Sequence, residues 1–247
     1  MIENIERIGN LTSSQAYRLV GFDRTKKEPS AAFYTYVEEK IYERALKRSL
    51  DLGAYGRSMA WGKFLENRVH ALLGLEYQLI SSKSFVHPKF DFWAGSPDMI
   101  VPSKKVSEIK CYEPKKFCSY VSSLLTKDTE IIKTNHPQEY WQIVSNCCIL
   151  GYPTGEAVVY MPYESELEEI IEMAENPEYI NQIGMQPWEV RFITESSASN
   201  LATLPDNARF LNLNKFEFSI PAEDIIFLTQ RMIKAGKLLT NGHKNNS

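Results

Sequence analysis

The chain has 247 residues, 43% of them apolar, which is enough to bury one sizeable core. Its 28 Lys and Arg stand against 31 Asp and Glu, a net charge of −3, so bulk charge does not mark a nucleic-acid partner and a polyanion would have to meet a local cationic surface. No apolar run approaches the ~18 residues of a membrane helix and the start MIENIERIGN has no signal-peptide core, so a cytoplasmic protein without a membrane partner is expected.

In chain order, 12–21 (TSSQAYRLVG) predicts a short helix capped by Thr12, Ser13 or Ser14 and stopped by Gly21. Residues 30–50 predict a long helix, with Ala32, Phe33, Tyr36, Val37, Ile41, Ala45 and Leu46 near helical spacing. A third helix is expected over 58–73, with Phe64, Leu65, Val69 and Leu72 as its apolar face. Short β-prone runs separated by turn residues follow at 75–80, 84–87, 90–93, 98–101 and 105–110. Helices are expected at 114–125 and 137–150, a strand at 155–163 and a helix at 164–174. Strands are expected at 187–194 and 214–220, and a last helix over about 221–240. No linker, repeat or low-complexity tract divides the chain, so 1–247 reads as a single domain. Helices on both sides of a strand cluster argue for an α/β (α+β) fold around a central mixed sheet. No glycine-rich loop follows a strand, which removes P-loop and dinucleotide-binding folds.

Cys111, Cys118, Cys147 and Cys148 make no C-x-x-C pair, so a disulfide framework, a zinc site and an iron–sulfur cluster are not supported. The basic clusters at 24–27, 44–48, 104–105 and 115–116 each read as a solvated face. His70, four residues after Glu66, reads as a pairing partner of that carboxylate. His87, His136 and His243 form no ligand pattern, and Trp61 and Phe64 read as core, with a DNA-splaying wedge as the alternative.

The stretch GSPDMIVPSKKVSEIK, 95–110, carries the chemistry. Side chains alternate along a strand, so Glu108 and Lys110 share a face and Ile109 points into the other layer. A hairpin through 102–105 would set Asp98 beside Glu108. Two converging carboxylates make a hard-oxygen site for Mg²⁺ or Mn²⁺, and Lys110 would orient or deprotonate a water, or neutralise a phosphate. The plain alternative is an exposed Glu-x-Lys pair and an Asp in a turn. Against it stand the tight Gly95-Ser96-Pro97 turn, the apolar neighbours Met99, Ile100, Val101, Val106 and Ile109, and Glu66 on an upstream helix.

Four ordered motifs then support a family resemblance. Ser96-Pro97-Asp98 with Glu108-Ile109-Lys110-Cys111, Trp61-Gly62-Lys63 with Glu66-Asn67, Leu11-Thr12-Ser13-Ser14, and Gln142 ahead of a strand resemble, over about 7–163, the PD-(D/E)xK nuclease superfamily. The similarity is to its YqaJ-type viral recombinases, the phage lambda exonuclease family. The resemblance implies a restriction-endonuclease-like core, completed by 164–247. It implies Asp98, Glu108, Glu66 and the Ile109 carbonyl at a Mg²⁺ ion, with Mn²⁺ able to substitute, and Lys110 at the nucleophilic water. Ser96 and Gln142 would line the scissile phosphate, while Arg7 and Ser14 would hold a terminal 5′-phosphate. The implied activity is a Mg²⁺-dependent 5′→3′ exonuclease on double-stranded DNA ends, serving phage-type recombination in a bacterial host cytoplasm. A single-strand annealing protein as partner and a ring-shaped homotrimer are implied with it. A structure-specific or RecB-like endonuclease and a catalytically inactive DNA-binding module are the alternatives. Two departures stand out: Glu139 occupies a position where the family often has tyrosine, and Tyr112-Glu113-Pro114 follows Cys111 where proline directly is usual.

Overall fold

The computed structural model describes residues 7–50, 56–80, 83–195 and 201–244, the last three by their backbone alone. His243 therefore lies outside the described side chains. The first elements are β1 (Leu11–Thr12), a 3-10 turn at Ser13–Gln15, and α1 (Tyr17–Val20). The helix expected over 12–21 is thus divided: Thr12 pairs with Ala94 in β1, Ser13–Gln15 form a 3-10 turn, and Tyr17–Val20 are α-helical. Next come α2 (Ala31–Leu46), closed by Lys47 in the left-handed region at φ 54°, and α3 (Arg57–Leu73).

The strands β2 (Gln78–Leu79), β3 (Phe85–His87), β4 (Phe90–Gly95), β5 (Met99–Val101) and β6 (Lys105–Lys110) follow. Then come α4 (Pro114–Leu124), α5 (Thr129–Asn135), α6 (Pro137–Leu150) and β7 (Thr154–Tyr160). The chain continues through α7 (Leu167–Glu175), α8 (Pro177–Gln182), α9 (Pro187–Glu195), β8 (Leu213–Ser219) and α10 (Ala222–Lys244). The segment 187–194, expected as a strand, is α9. Trp188, Val190, Phe192 and Thr194 mimic a two-residue period, yet the buried pair is Val190 and Ile193, at helical spacing, behind a proline at the first turn.

The strands form a five-stranded mixed sheet, β2-β5-β6-β7-β8, and a three-stranded sheet, β1-β4-β3. In the larger sheet β6 and β7 are parallel, and α4 to α6 make the crossover that a parallel pair requires. One face of β6 and β7 looks at α6: a Cβ on Gly155 would lie 2.2 Å from Ile143 Cγ2, so only glycine admits the helix that closely. The other face looks at α3, where Arg68 Nε donates to Tyr160 Oη at 3.0 Å. This helix–sheet–helix sandwich is the α/β restriction-endonuclease-like core expected from the sequence.

Candidate active site

The β5–β6 hairpin pairs Met99 with Ser107 and Ile100 with Val106, which sets Asp98 opposite Glu108 as the motif spacing requires. Asp98 Oδ2 accepts from the Ile109 backbone N–H at 2.7 Å. Glu108 and Lys110 project from the sheet face that α6 covers, while the Ile109 side chain is buried in the opposite layer. Glu108 is 1% exposed, and α6 supplies its partners. Gln142 Nε2 donates to Glu108 Oε2 at 2.6 Å, and Asn146 Nδ2 donates to Glu108 Oε1. Lys110 Nζ donates to Glu108 Oε2 at 3.4 Å and to Gln142 Oε1 at 3.2 Å. Gln142 therefore bridges the carboxylate and the ammonium.

The electrostatics follow from burial. Desolvation pushes Glu108 up to about 8, and the nearby Asp98 charge pushes the same way. Asp98 is also raised by burial, which Lys110 and the Ile109 N–H only partly offset. Lys110 would lose its proton to burial alone, but Glu108, Asp98 and Glu139 hold it charged, above the ordinary lysine range. Two carboxyls thus face one ammonium, and the surplus negative charge is relieved by a proton that Glu108 keeps to unusually high pH. A hard-oxygen pair with that surplus suits a divalent cation.

Glu66 reaches this site from the other side. It stands on α3, across the sheet from α6, and its charge joins that of Asp98 in raising Cys111, whose largest perturbation is burial. Among the described residues no three His, Cys, Asp or Glu side chains lie close enough to enclose an ion by themselves. Asp98 and Glu108 are brought together, with Glu66 within electrostatic range of Cys111, the residue after Lys110. The Ser96 hydroxyl lies 2.7 Å from Ser84 Oγ. His70 Nε2 lies 2.9 Å from the Tyr77 carbonyl oxygen, which anchors its helix to the following turn. Trp61 and Phe64 are core, stacked on each other with centroids 6.3 Å apart, so the wedge alternative is not realised. The four cysteines carry no disulfide.

Arg7 and Ser14 do meet. Arg7 Nη2 donates to Ser14 Oγ at 3.4 Å, on the wall of a cavity of about 790 Å³. Thr12 Oγ1 is 3.4 Å from Ser14 Oγ and 3.1 Å from Tyr36 Oη, which also accepts from the Thr12 N–H at 2.8 Å. Arg18 lines the same cavity, paired with Glu39 at 2.7 Å and lying 4.8 Å over the Tyr36 ring. Thr12, Arg18, Tyr36 and Asn146 were not named as site residues from the sequence. Arg18 lies four residues past Ser14 and Asn146 four past Gln142, so helical spacing carried a signal for both. Tyr36 arrives from α2 with no local signal.

Solved structures share this fold. An alkaline exonuclease (LHK-Exo) from Laribacter hongkongensis superposes with a TM-score of 0.60 at 15% identity, covering 97% of this chain and 92% of its own. The same enzyme in complex with dAMP gives 0.60 at 15% identity, covering 98% and 93%. A phage-related exonuclease from Haemophilus somnus 129PT gives 0.58 at 12% identity, covering 96% of each chain. No curated protein sequence matches. No helix among the described residues is long and apolar enough to cross a membrane. The sequence model of the YqaJ-like viral recombinase domain matches residues 5–153, from the Arg7–Ser14 pocket through Gln142 to the crossover ahead of β7, and the chain belongs to that family.

Proposed function

We propose that the protein is a divalent-metal-dependent DNA exonuclease of the PD-(D/E)xK type, acting 5′→3′ on double-stranded ends. One observation carries the reading: Asp98, Glu108 and Lys110 converge at the end of the β5–β6 hairpin beneath Gln142, with a carboxyl kept protonated for want of positive charge. Asp98, Glu108 and the Ile109 carbonyl would hold Mg²⁺ or Mn²⁺, with Glu66 adding charge from the opposite face. Bound there, a divalent cation supplies Lewis-acid activation of water and offsets the charge that gathers on the phosphate. Lys110, charged and hydrogen-bonded to Gln142, orients the attacking water and neutralises the phosphate as a fixed donor. Gln142 and Asn146 hold both oxygens of Glu108 and so fix the direction from which it can bind the ion.

The Arg7–Ser14 cavity supports the choice of end. A guanidinium beside two hydroxyls is a receptor for a terminal 5′-phosphate, and Ser96 would stand on the path of the strand between the pocket and the carboxylates. One structural neighbour was solved with dAMP, a mononucleotide of the kind a processive exonuclease releases. The family's name and a phage-related neighbour support a role in phage-type recombination, where a single-strand annealing protein would take over the exposed strand. A ring-shaped homotrimer would let a chain of net charge −3 enclose DNA by turning its basic residues inward. Light scattering that gives a monomer with and without DNA excludes the ring.

The activity is tested by incubating end-labelled linear and closed circular DNA with Mg²⁺. Loss of linear DNA alone is the expected result. Nicking of the circle means an endonuclease of the same fold, and no change means a DNA-binding module without catalysis.

A further inference from the structure

Between the Arg7–Ser14 pocket and the Asp98–Glu108 pair runs a buried polar seam that neither site uses directly. Trp93 and Ser145 are each 0% exposed and Ser13 is 2% exposed. Trp93 Nε1 donates to Ser145 Oγ at 2.8 Å. Ser145 Oγ lies 2.9 Å from Ser13 Oγ, and Ser13 Oγ lies 3.5 Å from the Ala94 carbonyl. An indole N–H can only donate and a carbonyl can only accept, so the protons run one way, from Trp93 through Ser145 and Ser13 to Ala94. The chain of bonds starts and ends on β4 and has a single satisfied orientation.

The neighbours of this seam are the functional groups. Ser14, beside Ser13, faces the pocket. Asn146, beside Ser145, holds Glu108. The strand that carries Trp93 and Ala94 runs through Gly95, Ser96 and Pro97 into Asp98. All three elements close on Gly95, where an added Cβ would lie 2.1 Å from Asn146 Oδ1, 2.3 Å from Ser13 Oγ and 2.8 Å from Ile149 Cδ1. There is no space here for one element to slide against another.

We propose that Ser145 is a positioning residue that locks the 3-10 turn bearing Ser14 to the helix bearing Gln142 and Asn146. This rests on the nuclease reading above and adds to it a fixed separation between end recognition and hydrolysis. A 5′-phosphate held at Ser14 then places its strand in register with the carboxylate pair. Without the lock the pocket still binds the phosphate, but binding no longer orients the scissile bond.

The test compares wild type, Ser145→Ala and Ser13→Ala on duplexes of identical sequence with 5′-phosphate or 5′-hydroxyl ends. The expected result is that the ratio of kcat on phosphorylated to hydroxyl ends falls about tenfold or more in both variants. KM for phosphorylated ends should stay within about twofold, because Arg7 and Ser14 are intact. The Mn²⁺-induced rise in melting temperature should persist, since Asp98 and Glu108 are untouched. A merely structural role lowers stability and both rates together and leaves the ratio alone, so a folded variant that keeps the wild-type ratio overturns the inference. Should Ser145→Ala fail to fold, Ser13→Ala decides by the same ratio, because it leaves Trp93 Nε1 partnered by Ser145. A wild type with equal rates on both ends overturns the end-pocket reading itself, and the lock with it.

Discussion

Glu108→Gln should make the metal-free protein more stable at alkaline pH. The variant keeps the shape of the side chain and removes its charge. In the folded protein Glu108 titrates at about 8, against an ordinary 4.5, because it is buried and faces Asp98. The native state therefore holds a proton that the unfolded chain gives up, and stability falls as pH rises from 4.5 through 8. At about 1.4 kcal/mol per pH unit of difference, the full effect is at most roughly 5 kcal/mol, and it belongs jointly to Glu108 and Asp98.

The comparison of the two proteins isolates this pair: Cys111, Cys147 and Cys148, raised by burial, also lower stability toward pH 9, but equally in both. Glu39, Glu139 and Glu166 are held below their ordinary range and give up their protons before pH 5, so they do not change above it. His87 and His136 are lowered by burial and act with the opposite sign near pH 6, but both proteins carry them and they cancel in the difference. Urea unfolding of EDTA-treated protein at pH 5, 7 and 9 is the assay. Wild type should lose stability steadily, and Glu108→Gln should match it at pH 5 and exceed it by several kcal/mol at pH 9. Mn²⁺ should restore the wild type at pH 9 and do little for the variant, because the ion replaces the missing proton only where the carboxylate exists. Wild-type stability that is flat from pH 5 to 9, or a variant no more stable at pH 9, would refute the charge-surplus account of the site.

Lys110→Ala should lower turnover about 10²-fold or more while leaving DNA affinity little changed, as steady-state rates and filter binding will report. If affinity collapses instead, Lys110 is only a phosphate anchor. Arg7→Ala should remove the preference for 5′-phosphorylated over 5′-hydroxyl ends and leave the Mn²⁺-induced melting shift intact; a preference that survives the change refutes the pocket. Gly155→Ala sets a methyl 2.2 Å from Ile143 Cγ2, between β7 and α6, and should cost about 1–3 kcal/mol in urea unfolding. A neutral result would mean that the helix can retreat from the sheet.

The half of the site that is local in sequence was legible, and the half that is brought together by packing was not. Asp98, Glu108 and Lys110 lie on one hairpin, so strand alternation and a short turn fix their relation before any tertiary contact forms. Gln142 was marked by its motif, but no local rule says that α6 lies over β6 on the face of Glu108; that follows from Gly155 admitting Ile143 on the same face. Glu66 shows the limit from the other side. Helical periodicity places it on α3, yet only the packing of Arg68 against Tyr160 reveals that α3 covers the opposite face of the sheet. Asp98 and Glu108 therefore come from one hairpin, and Glu66 from a separate helix. α9 was misread because the exposed Trp188 and the partly buried Phe192 blur its helical period, and the short α5 and α8 offered too few turns to show one.

The two departures from the family pattern meet in one contact. Glu139 stands where a tyrosine is common, and Tyr112 follows Cys111 where proline is usual. In the fold, Tyr112 Oη donates to Glu139 Oε1 at 2.5 Å, and Lys116 Nζ pairs with the same oxygen at 2.8 Å while lying 4.0 Å over the Tyr112 ring. Glu139 is 3% exposed, and although burial would raise it, Lys116 and the Tyr112 hydroxyl keep it ionised. Its charge then helps to hold Lys110 protonated. In the metal-free protein Lys110 is thereby a hydrogen-bond donor, to Gln142 and Glu108. A divalent cation at Asp98 and Glu108 would offset part of the negative charge that holds its proton, and so lower the cost of removing it.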